Sequence, residues 1–123
     1  MNNEYYLNIA RAISKRSHCL RRQYGAVIVN NDEIISTGYN GPPRGEPHCV
    51  VCNRIKNEHN DGNYNECSSV HAEMNAIISA SRRDMIGSTL YLAGFENDKQ
   101  ISATPCPICL RLIKNAGIKA IIS

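Results

Sequence analysis

An α/β fold is predicted by three observations: short β-branched runs, longer stretches with helical periodicity, and the order in which the two alternate. Two strands followed by helix, strand, helix, strand is an α/β order, with parallel pairing expected wherever a helix makes the crossover. A length of 123 residues suits one domain built on one core.

The elements follow in turn. Asn3 is placed to cap a helix whose apolar positions Tyr6, Ile9, Ala10 and Ile13 recur at helical spacing. Tyr24-Gly25-Ala26-Val27-Ile28-Val29 is apolar and β-branched. Asn30-Asn31-Asp32 then turns the chain, and Glu33 to Tyr39 returns as the second strand of a hairpin. From Asn40 to Glu66 periodicity disappears, and Gly41, Pro42, Pro43, Gly45, Pro47 and Gly62 punctuate a long loop carrying His48, Cys49, Cys52 and His59. Val70, Met74, Ile77 and Ile78 mark a helix to about Arg83, capped by Ser68 or Ser69. Thr89 to Ala93 is a third strand, Gly94 to Thr104 a polar insertion, and Pro107, Leu110 and Ile113 a helix that Gly117 stops. Ile118 to Ile122 closes the chain as strand four.

Composition narrows the function. Hydrophobic residues make up 42% of the chain, and the net charge of +3 is mild, compatible with small phosphorylated ligands but selecting no ligand class and not by itself indicating nucleic acid. No run approaches the eighteen apolar residues that would span a bilayer, and Met1-Asn2-Asn3-Glu4 lacks the order of a signal peptide, so the expected compartment is the cytoplasm. Six cysteines without an export signal then read as metal ligands or free thiols and not as disulfides.

The chemistry gathers in two short segments. His71 and Glu73 stand in Val70-His71-Ala72-Glu73-Met74-Asn75, and Cys106 and Cys109 in Pro105-Cys106-Pro107-Ile108-Cys109. One imidazole and two thiolates form a zinc site whose fourth position stays open for water, which is the catalytic pattern and not the structural one. Cys106 and Cys109 lie at i and i+3 in a helix's first turn, where the dipole favours thiolate. Zinc there lowers the pKa of a bound water from about 16 toward 7, making it a nucleophile for an amidine-type ring carbon. Glu73 is left free to act as base and then acid, releasing ammonia and leaving a ring carbonyl. One geometric condition must hold. Residues i and i+2 of a helix point roughly 200° apart, so His71 and Glu73 can serve one site only in the helix's opening turn. Taken alone, His-x-Glu is uninformative, and Cys-x-x-Cys also suits a redox pair or half of a structural zinc site. Together the two segments form the zinc deaminase signature.

With Cys19-Leu20-Arg21-Arg22 and Ser36-Thr37-Gly38-Tyr39-Asn40-Gly41-Pro42-Pro43-Arg44-Gly45 added, the chain resembles the deoxycytidylate (dCMP) deaminases of the cytidine deaminase superfamily over nearly its whole length. That resemblance implies a three-layer α/β/α sandwich with a central mixed sheet, whose further C-terminal helix and strand this chain does not contain. It implies His71, Cys106 and Cys109 as ligands of a catalytic zinc and Glu73 as the catalytic carboxylate. Asn40 would meet the sugar and phosphate end of the substrate, and the backbone of Ala72 and Thr104 would border the base. The implied reaction is dCMP plus water giving dUMP and ammonia for thymidylate synthesis, in a homo-oligomer, hexamer or dimer, with dCTP activating and dTTP inhibiting. A 5′-phosphate needs cations, and Arg21, Arg22 and Arg44 are the candidates. Relatives carry an extra structural zinc, for which Cys19, Cys49, Cys52 and Cys67 make a four-sulfur set, with His48 or His59 as substitutes.

The rival readings are a deaminase of another base, such as cytidine, guanine, a riboflavin precursor or a tRNA adenosine, and a non-catalytic zinc module that binds a nucleotide or a partner. A nucleic-acid editor would want stacking aromatics, and this chain has no Trp and one Phe.

Overall fold

In a computed structural model of the chain, residues 2–52 and 67–123 are described. Helix α1 (Asn3–Ser14) leads into strands β1 (Gln23–Asn30) and β2 (Glu33–Tyr39). Helix α2 (Ala72–Ile78) and the short α3 (Arg82–Met85) precede β3 (Thr89–Glu96) and β4 (Lys99–Ile101), and α4 (Pro107–Ala116) connects to β5 (Ala120–Ile122).

The described strands form one mixed sheet in the order β2-β1-β3-β4, with β5 also pairing β3. β1 is antiparallel to both β2 and β3, while β3 and β5, joined through α4, are parallel. Helix-mediated crossover and parallel pairing thus coincide where the sheet is entered from α4, as the element order requires.

The two central strands explain the layers. Along β1, Ala26 and Ile28 face one core cluster and Val27 and Val29 the other; along β3, Leu90 and Leu92 alternate in the same way with Tyr91 and Ala93. All eight residues are at most 4% exposed, so these strands read as unbroken apolar runs because both faces are covered. The first cluster includes Ala72 and Ala76 of α2 and Ile113 and Ala116 of α4; the second holds Tyr6, Leu7 and Ala10 of α1. The architecture is the expected α/β/α sandwich.

Two glycines set how closely the helices approach. A Cβ on Gly25 would stand 2.0 Å from the Ala10 carbonyl oxygen of α1, and one on Gly38 would stand 2.4 Å from both the Ala72 carbonyl oxygen and the Ala76 nitrogen of α2. One helix on each face is therefore pressed backbone to backbone against the sheet, which no other residue type would allow. Ser36 reinforces the second contact, donating its hydroxyl to the Ala76 carbonyl at 2.7 Å.

Several expectations are corrected. The cap of α1 is Asn2, whose side chain accepts the Tyr5 N–H at 3.1 Å, because the helix begins at Asn3 itself. Neither Ser68 nor Ser69 caps α2; His71 holds the N-cap position, and the helix stops at Ile78 instead of running to Arg83. Ser81 starts α3, accepting the Asp84 N–H, so a new cap three residues past Ile78 begins a second helix where periodicity alone reads one. The polar insertion after β3 is a hairpin, with Asn97 and Asp98 at φ 51° and 63°, repeating the two-residue turn of Asn31 and Asp32 at φ 52° and 59°. Asn and Asp tolerate that left-handed backbone better than most residues, which gives both hairpins the twist of their strands. Gly117 ends α4 at φ 90°, as predicted. Among the described residues no helix is long and apolar enough to cross a membrane.

Candidate zinc centre

The centre is built from two helix starts. His71 is the N-cap of α2, with extended backbone at φ −72° and ψ 155°, and Cys106 is the N-cap of α4 at φ −68° and ψ 164°. Because His71 lies outside the helical turn and Glu73 inside its beginning, the 200° separation of an ideal helix does not apply. The opening-turn condition is met.

Nδ1 of His71 lies 3.2 Å from Sγ of Cys109 and 3.7 Å from Sγ of Cys106. A tetrahedral zinc with bonds of about 2.05 Å to nitrogen and 2.3 Å to sulfur spaces such atoms about 3.5 Å apart. The three ligand atoms all lie within 4.8 Å of one another, and this is the one such His, Cys, Asp or Glu group among the described residues. The donor set therefore fits zinc in element type, spacing and tetrahedral reach.

Burial and charge agree with that fit. Cys109 is fully buried and Glu73 is 5% exposed. Burial pushes the Cys109 thiol well above its usual range, followed by the charge of Glu73 and by Cys106, both within hydrogen-bonding reach. A divalent cation between these groups offsets that repulsion and holds both sulfurs as thiolates. The Cys109 N–H points at Cys106 Sγ at 3.4 Å, supplying part of the thiolate's stabilisation from the start of α4. Pro107 at the first helical position leaves that arrangement undisturbed, since the missing N–H is unpaired in any helix.

The other candidates divide. Asn40 is buried, and its carboxamide is engaged by the protein: Oδ1 accepts the Tyr24 N–H at 2.8 Å and Nδ2 donates to the Arg22 carbonyl at 3.0 Å. Ala72 is buried at the start of α2, whereas Thr104 is exposed on the segment that reaches Cys106 through buried Pro105. Arg22 pairs with Glu96 at 2.6 Å; the guanidinium holds the Glu96 carboxyl below its usual range by that hydrogen bond, so the Arg22 Nε is already committed. Arg21 is half-buried and Arg44 is exposed.

Among the described residues, none of Cys19, Cys49, Cys52 or Cys67 joins a group of three ligand atoms within 4.8 Å. They are neighbours nonetheless, since the Cys49 thiol is raised first by desolvation and then by the charges of Cys67, Cys19 and Cys52. The His48 ring lies against that of His18, tilted by 38° with centroids 4.3 Å apart. His59 and residues 53–66 of the long loop lie outside the described residues.

Sequence reasoning missed the residues that seat α2. Asn75 donates Nδ2 to the Tyr39 carbonyl at 2.7 Å, and Gly41 and Val70 exchange two backbone hydrogen bonds of 3.1 and 2.7 Å. An asparagine inside a short helix is poorly favoured by propensity, which is the signal that would have drawn attention to it.

The model of the cytidine and deoxycytidylate deaminase zinc-binding region matches residues 1–123. The deoxycytidylate deaminase of Mycobacterium phage D29 is 37% identical, the match covering 98% of this chain and 91% of that protein. The human enzyme is 36% identical and longer, this chain spanning 62% of it. Among solved structures, the dCMP deaminase of cyanophage S-TIM5 superposes with a TM-score of 0.72 at 30% identity, covering 97% of this chain and 79% of that one. The same cyanophage enzyme in complex with dCMP and dUMP gives 0.69 at 32% identity. A sandwich that brings one histidine and two cysteines together at two helix starts, matched along its whole length in this way, belongs to the cytidine and deoxycytidylate deaminase family.

Proposed function

We infer that this chain is a zinc-dependent hydrolase that deaminates dCMP to dUMP with release of ammonia, and that residues 1–123 form one deaminase domain. The observation that carries this reading is the convergence of His71, Cys106 and Cys109 with a buried Glu73 against Cys109. The dCMP and dUMP held by the cyanophage relative differ by exchange of an amine for a carbonyl, which is the change such a site performs.

His71, Cys106 and Cys109 hold the zinc, which when bound supplies an acidified water. Glu73 takes up one proton of the attacking water on its carboxylate and delivers it to the ring nitrogen of the base. It then takes up the water's second proton and passes it to the amine as that leaves, so that both protons of the water are accounted for and the oxygen stays as the ring carbonyl. Its 5% exposure keeps bulk water away and raises the strength of its interaction with a charged or polar partner. The backbone at Ala72 and Thr104 borders the base, and Asn40 stands toward the sugar. Arg21 and Arg44 serve the phosphate, Arg22 contributing there through guanidinium nitrogens other than Nε.

The neighbouring Cys19, Cys49, Cys52 and Cys67 support a second, structural zinc that would draw their sulfurs together. We further assign the chain to a cytoplasmic homo-oligomer responding to dCTP and dTTP. Ile78 at 75%, Ile108 at 51% and Leu112 at 38% exposure, on the adjoining helices α2 and α4, support subunit contact.

Ammonia release from equal concentrations of dCMP, deoxycytidine, CMP and dCTP, with metal measured on the same sample, tests the substrate and metal assignments. Selective turnover of dCMP with about two zincs per chain is expected. Zinc bound without turnover of any of the four would overturn the dCMP assignment, and one zinc would overturn the second site.

A further inference from the structure

The end of β2 and the residues just after it meet α2 and the residue pair just before it at three points. Gly38 lies under the backbone of Ala72 and Ala76, the Tyr39 carbonyl accepts from Asn75, and Gly41 pairs with Val70 just before His71. Two of these contacts are backbone to backbone, and only the third depends on a side chain. Between them sits Asn40, whose own carboxamide is held by Tyr24 and Arg22 and whose carbonyl accepts the Ser17 hydroxyl at 2.9 Å.

Asn75 is thus joined to both halves of the site. Its backbone N–H donates to the His71 carbonyl at 3.0 Å, the first helical bond of α2, and Glu73 lies two residues before it. Its side chain reaches across to the residue that precedes Asn40. The carboxamide therefore sets the span between the helix that carries Glu73 and the strand end that carries Asn40.

We propose that Asn75 is a positioning residue for the substrate's sugar and phosphate end, acting through the Tyr39 carbonyl on the Tyr39-Asn40-Gly41 segment. The proposal rests on the dCMP reading above. It assigns Asn75 no contact with substrate or metal. Its loss loosens the span between two otherwise intact halves, so the base still meets Glu73 while the far end of the nucleotide is poorly placed. The cost accordingly falls on KM for the phosphorylated substrate.

The test compares full-length wild type with Asn75→Ala, Asn75→Asp and Asn75→Gln, each assayed with dCMP and with deoxycytidine after its zinc content is measured. Asn75→Ala is expected to raise KM for dCMP about tenfold, the size of one lost hydrogen bond, with kcat within about threefold and zinc unchanged. Asn75→Asp, which cannot donate to the Tyr39 carbonyl, is expected to do at least as much, while Asn75→Gln, which keeps the donor, recovers part of the loss. The preference for dCMP over deoxycytidine is expected to shrink in parallel. Unchanged KM in Ala and Asp variants overturns the inference, as does loss of zinc or an equal fall in kcat with both substrates, which would mark a merely structural role. Wild-type protein that turns over no dCMP removes the functional reading itself and the inference with it.

Discussion

Replacing Glu73 by Gln is expected to leave zinc content and fold intact while turnover falls on the order of 10³-fold, the scale of a lost general acid–base group. The argument is local. Glu73 is 5% exposed at the start of α2, close to Cys109, and among the described residues the group formed by His71, Cys106 and Cys109 includes no carboxylate of its own. A glutamine fills the same volume and can donate hydrogen bonds, but it cannot shuttle a proton. The substitution leaves His71, Cys106 and Cys109 untouched, so zinc should be retained. Retained turnover in a zinc-replete Glu73→Gln protein would return the chain to the class of non-catalytic zinc modules.

The second large effect is expected at Gly38, which takes no part in the proton transfer. A methyl group there meets two backbone atoms of α2 at 2.4 Å, and backbone cannot rotate aside as a side chain can. Gly38→Ala should therefore cost about 2–3 kcal/mol of stability through overpacking. It should also displace the helix start that presents His71 and Glu73, lowering both zinc affinity and turnover. Gly41→Ala is the control, because nothing among the described residues lies within 4 Å of a Cβ at that position, and its stability should stay within about 0.5 kcal/mol of wild type. Urea unfolding of the two variants separates these outcomes. Equal midpoints would show that α2 does not rest on Gly38 as the packing requires.

These residues also mark what was legible in the sequence. The apolar runs through Val27 and Leu90 revealed the central strands, because covering both faces of a sheet leaves an unbroken apolar signature. His71, Glu73, Cys106 and Cys109 were legible because ligand chemistry and spacing constrain residue type directly. The stop of α2 at Ile78 was not, since the cap that Ser81 provides to the next helix acts by a hydrogen bond that periodicity does not register. The β3–β4 hairpin was hidden in a polar stretch, although Asn97-Asp98 is turn chemistry of the same kind as Asn31-Asp32. Arg22 read as a phosphate ligand, and only tertiary structure could bring Glu96 to its Nε. The roles of Gly38 and Asn75 depend on which strand end meets which helix, and no local pattern carries that information.

The central claim is that His71, Cys106 and Cys109 hold a zinc on which deamination of dCMP depends. Its most direct test is to follow dUMP and ammonia together from dCMP with zinc-loaded protein, with the same protein after chelation, and after zinc is restored. Equal amounts of dUMP and ammonia, lost on chelation and regained with zinc, are the predicted result. Turnover that survives complete removal of zinc, or zinc-replete protein that forms no dUMP, would contradict it.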